Sequence, residues 1–149
     1  MADGITHISI GVAELKPVLD FWCGQLGMAV VARRSGADLE LARLWGIPAG
    51  QFVDQLLLAT PGATMGQLHL VQFREPGPAV RTGAATTDLC AKNLDVNCTG
   101  LPDRVAILQQ HGYSFRAPIG EYTVDDIQAR EVQLPGHDGV NIVFIEVLS

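Results

Sequence analysis

Charge is scarce in this chain: only 17% of its 149 residues are Asp, Glu, Lys or Arg, and the net charge is −6. The basic residues form no stripe, and Arg33-Arg34 is their one adjacent pair. Nucleic acid is therefore excluded as a partner, because phosphate binding needs a basic footprint. Cysteine is scarce too. Cys23, Cys90 and Cys98 are odd in number and lack CxxC spacing, so they read as reduced, mostly buried thiols rather than disulfides or a zinc site. A catalytic thiol would want a histidine partner, and none is evident in the sequence. No apolar run approaches the ~20 residues that span a bilayer. The start, Met1 to His7, lacks the basic and apolar stretches of a signal peptide. The expectation is a cytoplasmic protein without a membrane partner.

Apolar side chains, by contrast, are plentiful at 48%, with a mean hydropathy of +0.22. That is ample for one compact domain or for two half-size modules. Ile5 to Val12 sets Ile8, Ile10 and Val12 against His7, Ser9 and Gly11, the period of a half-buried strand. Glu14 to Leu26 changes to helical spacing through Leu15, Val18, Leu19, Trp22 and Leu26, and Gly27 stops it. Met28–Arg33 reads as a strand, and Leu39 to Trp45 as a short helix within a less regular stretch, 35–50. Phe52–Thr60 and Gln67–Arg74 are two further strands. Glu75 to Gly83 has linker chemistry and sets the expected boundary, with modules 1–80 and 81–149.

The second half repeats the plan. A strand is expected over Leu89–Cys98, a helix over Leu101–His111 and a short extended piece over Tyr113–Ala117. Strands then follow over Gln128–Leu134 and Val140–Leu148, separated by a Pro-Gly/Asp-Gly turn. Aligning His7–Leu15 with Asn93–Leu101 needs no gap and sets Ile8, Ile10, Val12 and Leu15 on Leu94, Val96, Cys98 and Leu101. At the same offset, the glycine stops Gly27 and Gly112 meet after one residue is lost. The fold class predicted is α+β, two βαβββ modules.

Three motifs carry a family resemblance: His7-Ile8-Ser9-Ile10 with Leu15, Phe21-Trp22 and Leu26-Gly27-Met28; Gly66 to Phe73; and Leu134 to Val140. In this order and spacing they resemble the vicinal-oxygen-chelate superfamily of glyoxalases, bleomycin-resistance proteins and extradiol dioxygenases. The resemblance covers nearly the whole chain outside 35–50. It implies curled mixed sheets forming a cup for a small molecule. It also implies one divalent ion (Fe, Mn, Zn or Ni) held by one residue from the first and last strand of each module, with binding without metal as the alternative. Carried over, those four positions are His7, His69, Asn93 and Val143. Two are good ligands, an amide is a poor one and Val143 cannot ligate. An ion shared by the two imidazoles would hold their nitrogens roughly 3 to 3.5 Å apart.

His7 and His69 are thus the expected metal or acid–base residues, against the plainer reading of pocket-lining or hydrogen-bonded histidines. Asn93, Asp95 and Asn97 form a polar stripe that would face the cup or simply water; Asp95 offers a carboxylate to a shifted metal set. Glu146 and Gln72 occupy equivalent places pointing away from the ligand face, and Glu146 becomes a metal carboxylate only through a bulge or register slip. Tyr122 is expected in a loop over the ligand, and Arg130 either clamps an anion or lies solvated. His111 is read as a helix cap and His137 as a solvent-exposed turn residue. Eight aromatic residues between Phe21 and Tyr122 supply candidate pocket walls. Three functions follow: metal-dependent lyase, isomerase or dioxygenase chemistry on vicinal oxygens; metal-free sequestration of a small molecule; and metal-free proton transfer by His7 or His69. A homodimer is expected, because small modules leave edge strands to cover.

Overall fold

Alternation at the start of the chain becomes β1 (His7–Val12). A helical segment follows: one turn of α-helix, α1 (Leu15–Leu19), widens into a π-helix over Asp20–Gln25. Val18, Phe21 and Trp22, spaced i, i+3 and i+4, form its buried stripe. Then come β2 (Ala29–Ser35), α2 (Leu39–Trp45), β3 (Phe52–Ala59) and β4 (Gln67–Phe73). A computed structural model describes residues 4–85, 87, 89 and 91–148; the expected burial of Cys90 and the reading of residues 1–3 lie outside them.

The chain divides into compact units at 1–78 and 79–149. The second contains β5 (Asn93–Asn97), α3 (Leu101–Gln110), β6 (Gly120–Val124), β7 (Ile127–Pro135) and β8 (Asn141–Val147). Each unit is a βαβββ module with a four-stranded mixed sheet, ordered β1-β4-β3-β2 in one and β5-β8-β7-β6 in the other. The first and last strands pair in parallel and the remaining pairs are antiparallel. The α+β expectation thus holds in both halves. In the first unit Val12, Leu56, Leu58, Leu68 and Leu70 are buried together with Val18, Phe21 and Trp22. In the second, Leu101 and Leu108 of α3 are buried, as are Val132, Leu134, Ile142 and Phe144 of the sheet. Burying each such side chain contributes roughly 1.5–3 kcal/mol.

The two helices leave in the same way, through glycines in the left-handed region, Gly27 (φ 75°) and Gly112 (φ 87°). Just beyond them Met28 N–H donates to Trp22 O at 3.0 Å, and Tyr113 N–H to Leu108 O at 3.1 Å.

Two expectations fail. The second unit's extended segment is β6 at Gly120–Val124, not Tyr113–Ala117. β6 is an edge strand exposed along its whole length, so no apolar alternation marks it. β5 also starts later than Leu89, whose side chain is fully exposed.

Candidate functional site

Parallel pairing of β1 with β4 places Ser9 directly opposite His69, two residues along from His7. Because strand side chains alternate, His7, Ser9 and His69 share one face of the sheet with Val71 and Phe73. Gln55 and Leu57, opposite Val71 and His69 on β3, lie on that face as well. The rings of His7 and His69 are edge-on, with centroids 6.0 Å apart.

Helix α2 belongs to the same surface. Asp38 caps it, with Oδ1 accepting from Leu41 N–H at 3.0 Å. At the other end Trp45 lies beside three rings: Phe52 at 5.7 Å, His69 at 6.2 Å and Phe73 at 6.4 Å. Ala42, Phe52 and Val71 form a buried cluster there, with Leu41, Ile47, Ala49 and Phe73 packed around it. The stretch that lay outside the family pattern therefore builds an aromatic wall beside the histidines.

A chain of hydrogen bonds runs through the face. Asp38 is 3% exposed; its Oδ2 accepts from Gln55 Nε2 at 3.0 Å and pairs with Arg34 Nη1 at 2.9 Å. These bonds, led by the Leu41 N–H and the Gln55 amide, hold the Asp38 carboxyl below the usual carboxylate range. Gln55 Oε1 lies 3.2 Å from His69 Nε2, and His69 Nδ1 lies 3.0 Å from Ser9 Oγ. The protons follow from donor and acceptor identity. A carboxylate only accepts, so the amide nitrogen of Gln55 faces Asp38 and its carbonyl faces His69. A carbonyl also only accepts, so His69 carries its proton on Nε2. Nδ1 is then the acceptor, and Ser9 O–H donates to it. Burial and the neighbouring His7 charge push the His69 imidazole below its usual range, opposed by Asp38, which favours this neutral form. Sequence reading missed Ser9, Gln55 and Asp38. Ser9 was visible on the histidine side of β1, but the Asp38–Gln55 link depends on where α2 docks.

The corresponding face of the second sheet is built from amides. Asn141 Nδ2 donates to Asn93 Oδ1 at 2.8 Å and to Gln133 Oε1 at 3.3 Å, and Asn141 Oδ1 accepts from Arg116 Nε at 2.9 Å. Asp95 lies opposite Val143 and is exposed. Tyr122 is on β6 opposite Ala129, in a strand rather than the expected loop, and the register puts it on the Asn93–Asp95 face. Arg130 is one step along β7 and points to the other face, where its Nε donates to Glu146 Oε2 at 2.8 Å. There its guanidinium also pairs with the same carboxylate through Nη2 at 2.7 Å.

Glu146 does not reach the face that carries Asn93 and Asp95. Besides Arg130, it accepts from Gly100 N–H at 2.6 Å and Leu101 N–H at 2.9 Å, satisfying the start of α3. Its equivalent Gln72 donates to Ala13 O at 3.0 Å, just ahead of α1. His111 is exposed and follows the last residue of α3, the place expected of a cap. His137, expected in solvent, has only 12% of its side chain exposed. A 3-10 turn folds it inward with Nδ1 3.5 Å from Asp138 Oδ2, and burial lowers its pKa. Cys23 and Cys98 are half-buried free thiols, and burial raises their pKa values.

The donor set does not fit a resident metal ion as arranged. Both ring nitrogens of His69 are engaged by Ser9 and Gln55, and His7 Nδ1 lies 3.2 Å from Thr6 Oγ1. Asn93 is bonded to Asn141, Val143 is buried hydrocarbon, and Glu146 is held at α3. Among the described residues no three His, Cys, Asp or Glu side chains group to hold an ion.

No family model and no curated protein matches the chain. Solved structures do. A glyoxalase family protein from Bacillus cereus superposes with a TM-score of 0.82 at 21% identity, covering 100% of this chain and 99% of that one. A member of the glyoxalase/bleomycin resistance protein/dioxygenase superfamily from Sphaerobacter thermophilus gives 0.58 at 15% identity, over 97% and 98%. TnmS3, an antibiotic binding protein from a Streptomyces species, gives 0.60 at 18% identity, over 99% and 98%. None of the helices in the described residues is long and apolar enough to cross a membrane. Two βαβββ modules with this strand order, matched end to end by such structures, give the chain the fold of the glyoxalase, bleomycin-resistance and dioxygenase superfamily.

Proposed function

We propose that this chain binds a small aromatic molecule on the face shared by His7, Ser9, His69 and Trp45, without a resident metal ion. The observation that carries this reading is the engagement of both His69 ring nitrogens beside a half-exposed tryptophan. An aromatic wall with a few placed polar groups is the usual make-up of a small-molecule site. Trp45 and Phe73 supply the wall, and His7 and Ser9 supply exposed polar atoms. That an antibiotic binding protein has a similar fold supports this class of ligand. Metal-dependent chemistry on vicinal oxygens is the competing outcome.

The test pairs two measurements on protein purified without chelator. Trp22 is buried and Trp45 is 39% exposed, so quenching by a panel of planar aromatic compounds reports on Trp45. Saturable quenching by metal-free protein, lost in Trp45→Ala, supports the reading. Stoichiometric Fe, Mn, Zn or Ni that disappears in both His7→Ala and His69→Ala overturns it.

A further inference from the structure

We propose that Ser9 and His69 form a nucleophile–base couple able to cleave aryl esters, with Gln55 and Asp38 as positioning residues. The aryl group would sit against Trp45, so the inference rests on the binding reading above for that group alone. Four elements converge to make the couple: β1 brings Ser9, β4 His69, β3 Gln55, and the cap of α2 Asp38. A nucleophile bonded to a base, and the base bonded to an orienting group, is the arrangement acyl transfer requires. Here the orienting group is an amide whose other end is fixed by a buried carboxylate.

The tautomer gives the couple its direction. His69 Nε2–H points at Gln55, so the Nδ1 lone pair faces the Ser9 hydroxyl. Ser9 is exposed on an edge strand, open to an incoming carbonyl. As Oγ bonds to the acyl carbon, its proton passes to His69 Nδ1. The carbon–oxygen bond to the aryl group breaks, and the leaving phenol takes that proton. Water then attacks the acyl-serine and gives a proton to Nδ1. The Oγ–carbon bond breaks, the proton returns to Oγ, and the carboxylic acid is released. The imidazolium formed in each half keeps its Nε2–H on Gln55 Oε1, whose amide is polarised by Asp38. Aryl esters are the class for which a base and a nucleophile suffice, because the phenol leaves readily.

The probes are 4-nitrophenyl acetate and an aryl fluorophosphonate, applied to the full chain. The expected result is nitrophenol release and a covalent adduct on the peptide containing Ser9, both abolished by Ser9→Ala. His69→Asn should slow acylation by about 10²-fold or more, the usual contribution of a positioned base. Asp38→Asn keeps a good helix cap but removes the charge that orients Gln55. Imidazole ¹⁵N NMR should find His69 as the Nε2–H tautomer in the parent and a mixture in Asp38→Asn, with a matching fall in acylation rate. That readout stands even if His69→Asn fails to fold. An adduct on another residue, an unchanged rate in Ser9→Ala, or an Nδ1–H tautomer in the parent overturns the proposal. Quenching of Trp45 by a phenol that cannot acylate tests binding separately, so aryl binding without acylation rejects the couple and leaves the binding reading intact.

Discussion

The two units share one strand order and use it for different chemistry. In the first, the sheet face of β1 and β4 carries His7, Ser9 and His69 beside an aromatic wall. In the second, the same register positions hold Asn93, Asp95 and Val143, and the amides bond largely to one another. On the opposite face the pattern is reversed: function is kept while chemistry changes. Gln72 and Glu146 both tie the last strand to the entry of the helix, one by donating to a carbonyl, the other by accepting from two N–H groups. The exposed positions on these faces, His7 and Ser9 in one unit and Asn93 and Asp95 in the other, differ freely because they carry little of the packing. Positions that close a helix end must still satisfy its backbone.

The largest test of this comparison lies in the core. Leu70 and Phe144 occupy the same register position and are both fully buried. Leu70→Ala should destabilise by about 2–5 kcal/mol and Phe144→Ala by about 3–5 kcal/mol, read by denaturant unfolding. Comparable losses would mean that the two scaffolds are equally committed to their cores; a tolerated Leu70→Ala would break the equivalence.

Next in size is the contrast between faces. Trp45→Ala should weaken an aromatic ligand by about tenfold, or ~1.4 kcal/mol. Tyr122→Ala, on the corresponding face of the second sheet, should change binding less than twofold. Equal effects in calorimetric titration would show that the amide face binds ligand too.

A smaller effect separates Gln72 from Glu146. The Leu101 and Gly100 N–H groups, with Arg130, lower the Glu146 pKa. A depressed carboxylate contributes stability that is present above its unfolded pKa of about 4.3 and is lost as pH falls through the folded value. Glu146→Gln should therefore flatten the acid limb of a plot of stability against pH, whereas Gln72→Ala should leave its slope unchanged. An unaltered slope in Glu146→Gln would remove the charge-based account of the α3 entry.

The smallest effect concerns self-association, which we propose as a homodimer. Leu39 and Leu44 on α2, a helix of the first unit, are 78% and 76% exposed. Changing both to Ser should lower the dimer fraction in light scattering at micromolar concentrations; a monomeric parent would end the proposal.

Much of this fold was legible because β1, β4 and β5 set apolar residues in alternation with polar ones, and α3 has Pro102 near its start and a glycine stop. What escaped had no such signal. β6 buries nothing, so no pattern betrays it. His7, Ser9 and His69 could be placed on one face from alternation alone, since parity decides it. Their partners could not: Gln55 meets Asp38 only because α2 folds back over the sheet, and no period in the sequence records that return. Parity puts Glu146 on the side of β8 opposite Val143, but the destination of its carboxylate depends on the helix being in place.

The π-helix at Asp20–Gln25 also keeps a count of residues. Measured from aligned first strands, the glycine stop of the first unit falls one residue later than that of the second. The bond that closes the first helix, Met28 to Trp22, spans six residues, and its counterpart, Tyr113 to Leu108, spans five. The surplus residue has widened a turn instead of lengthening the helix or shifting the strand that follows. A one-residue insertion in a duplicated ancestor would leave this trace, stored as local overwidth while both sheets keep the same strand order.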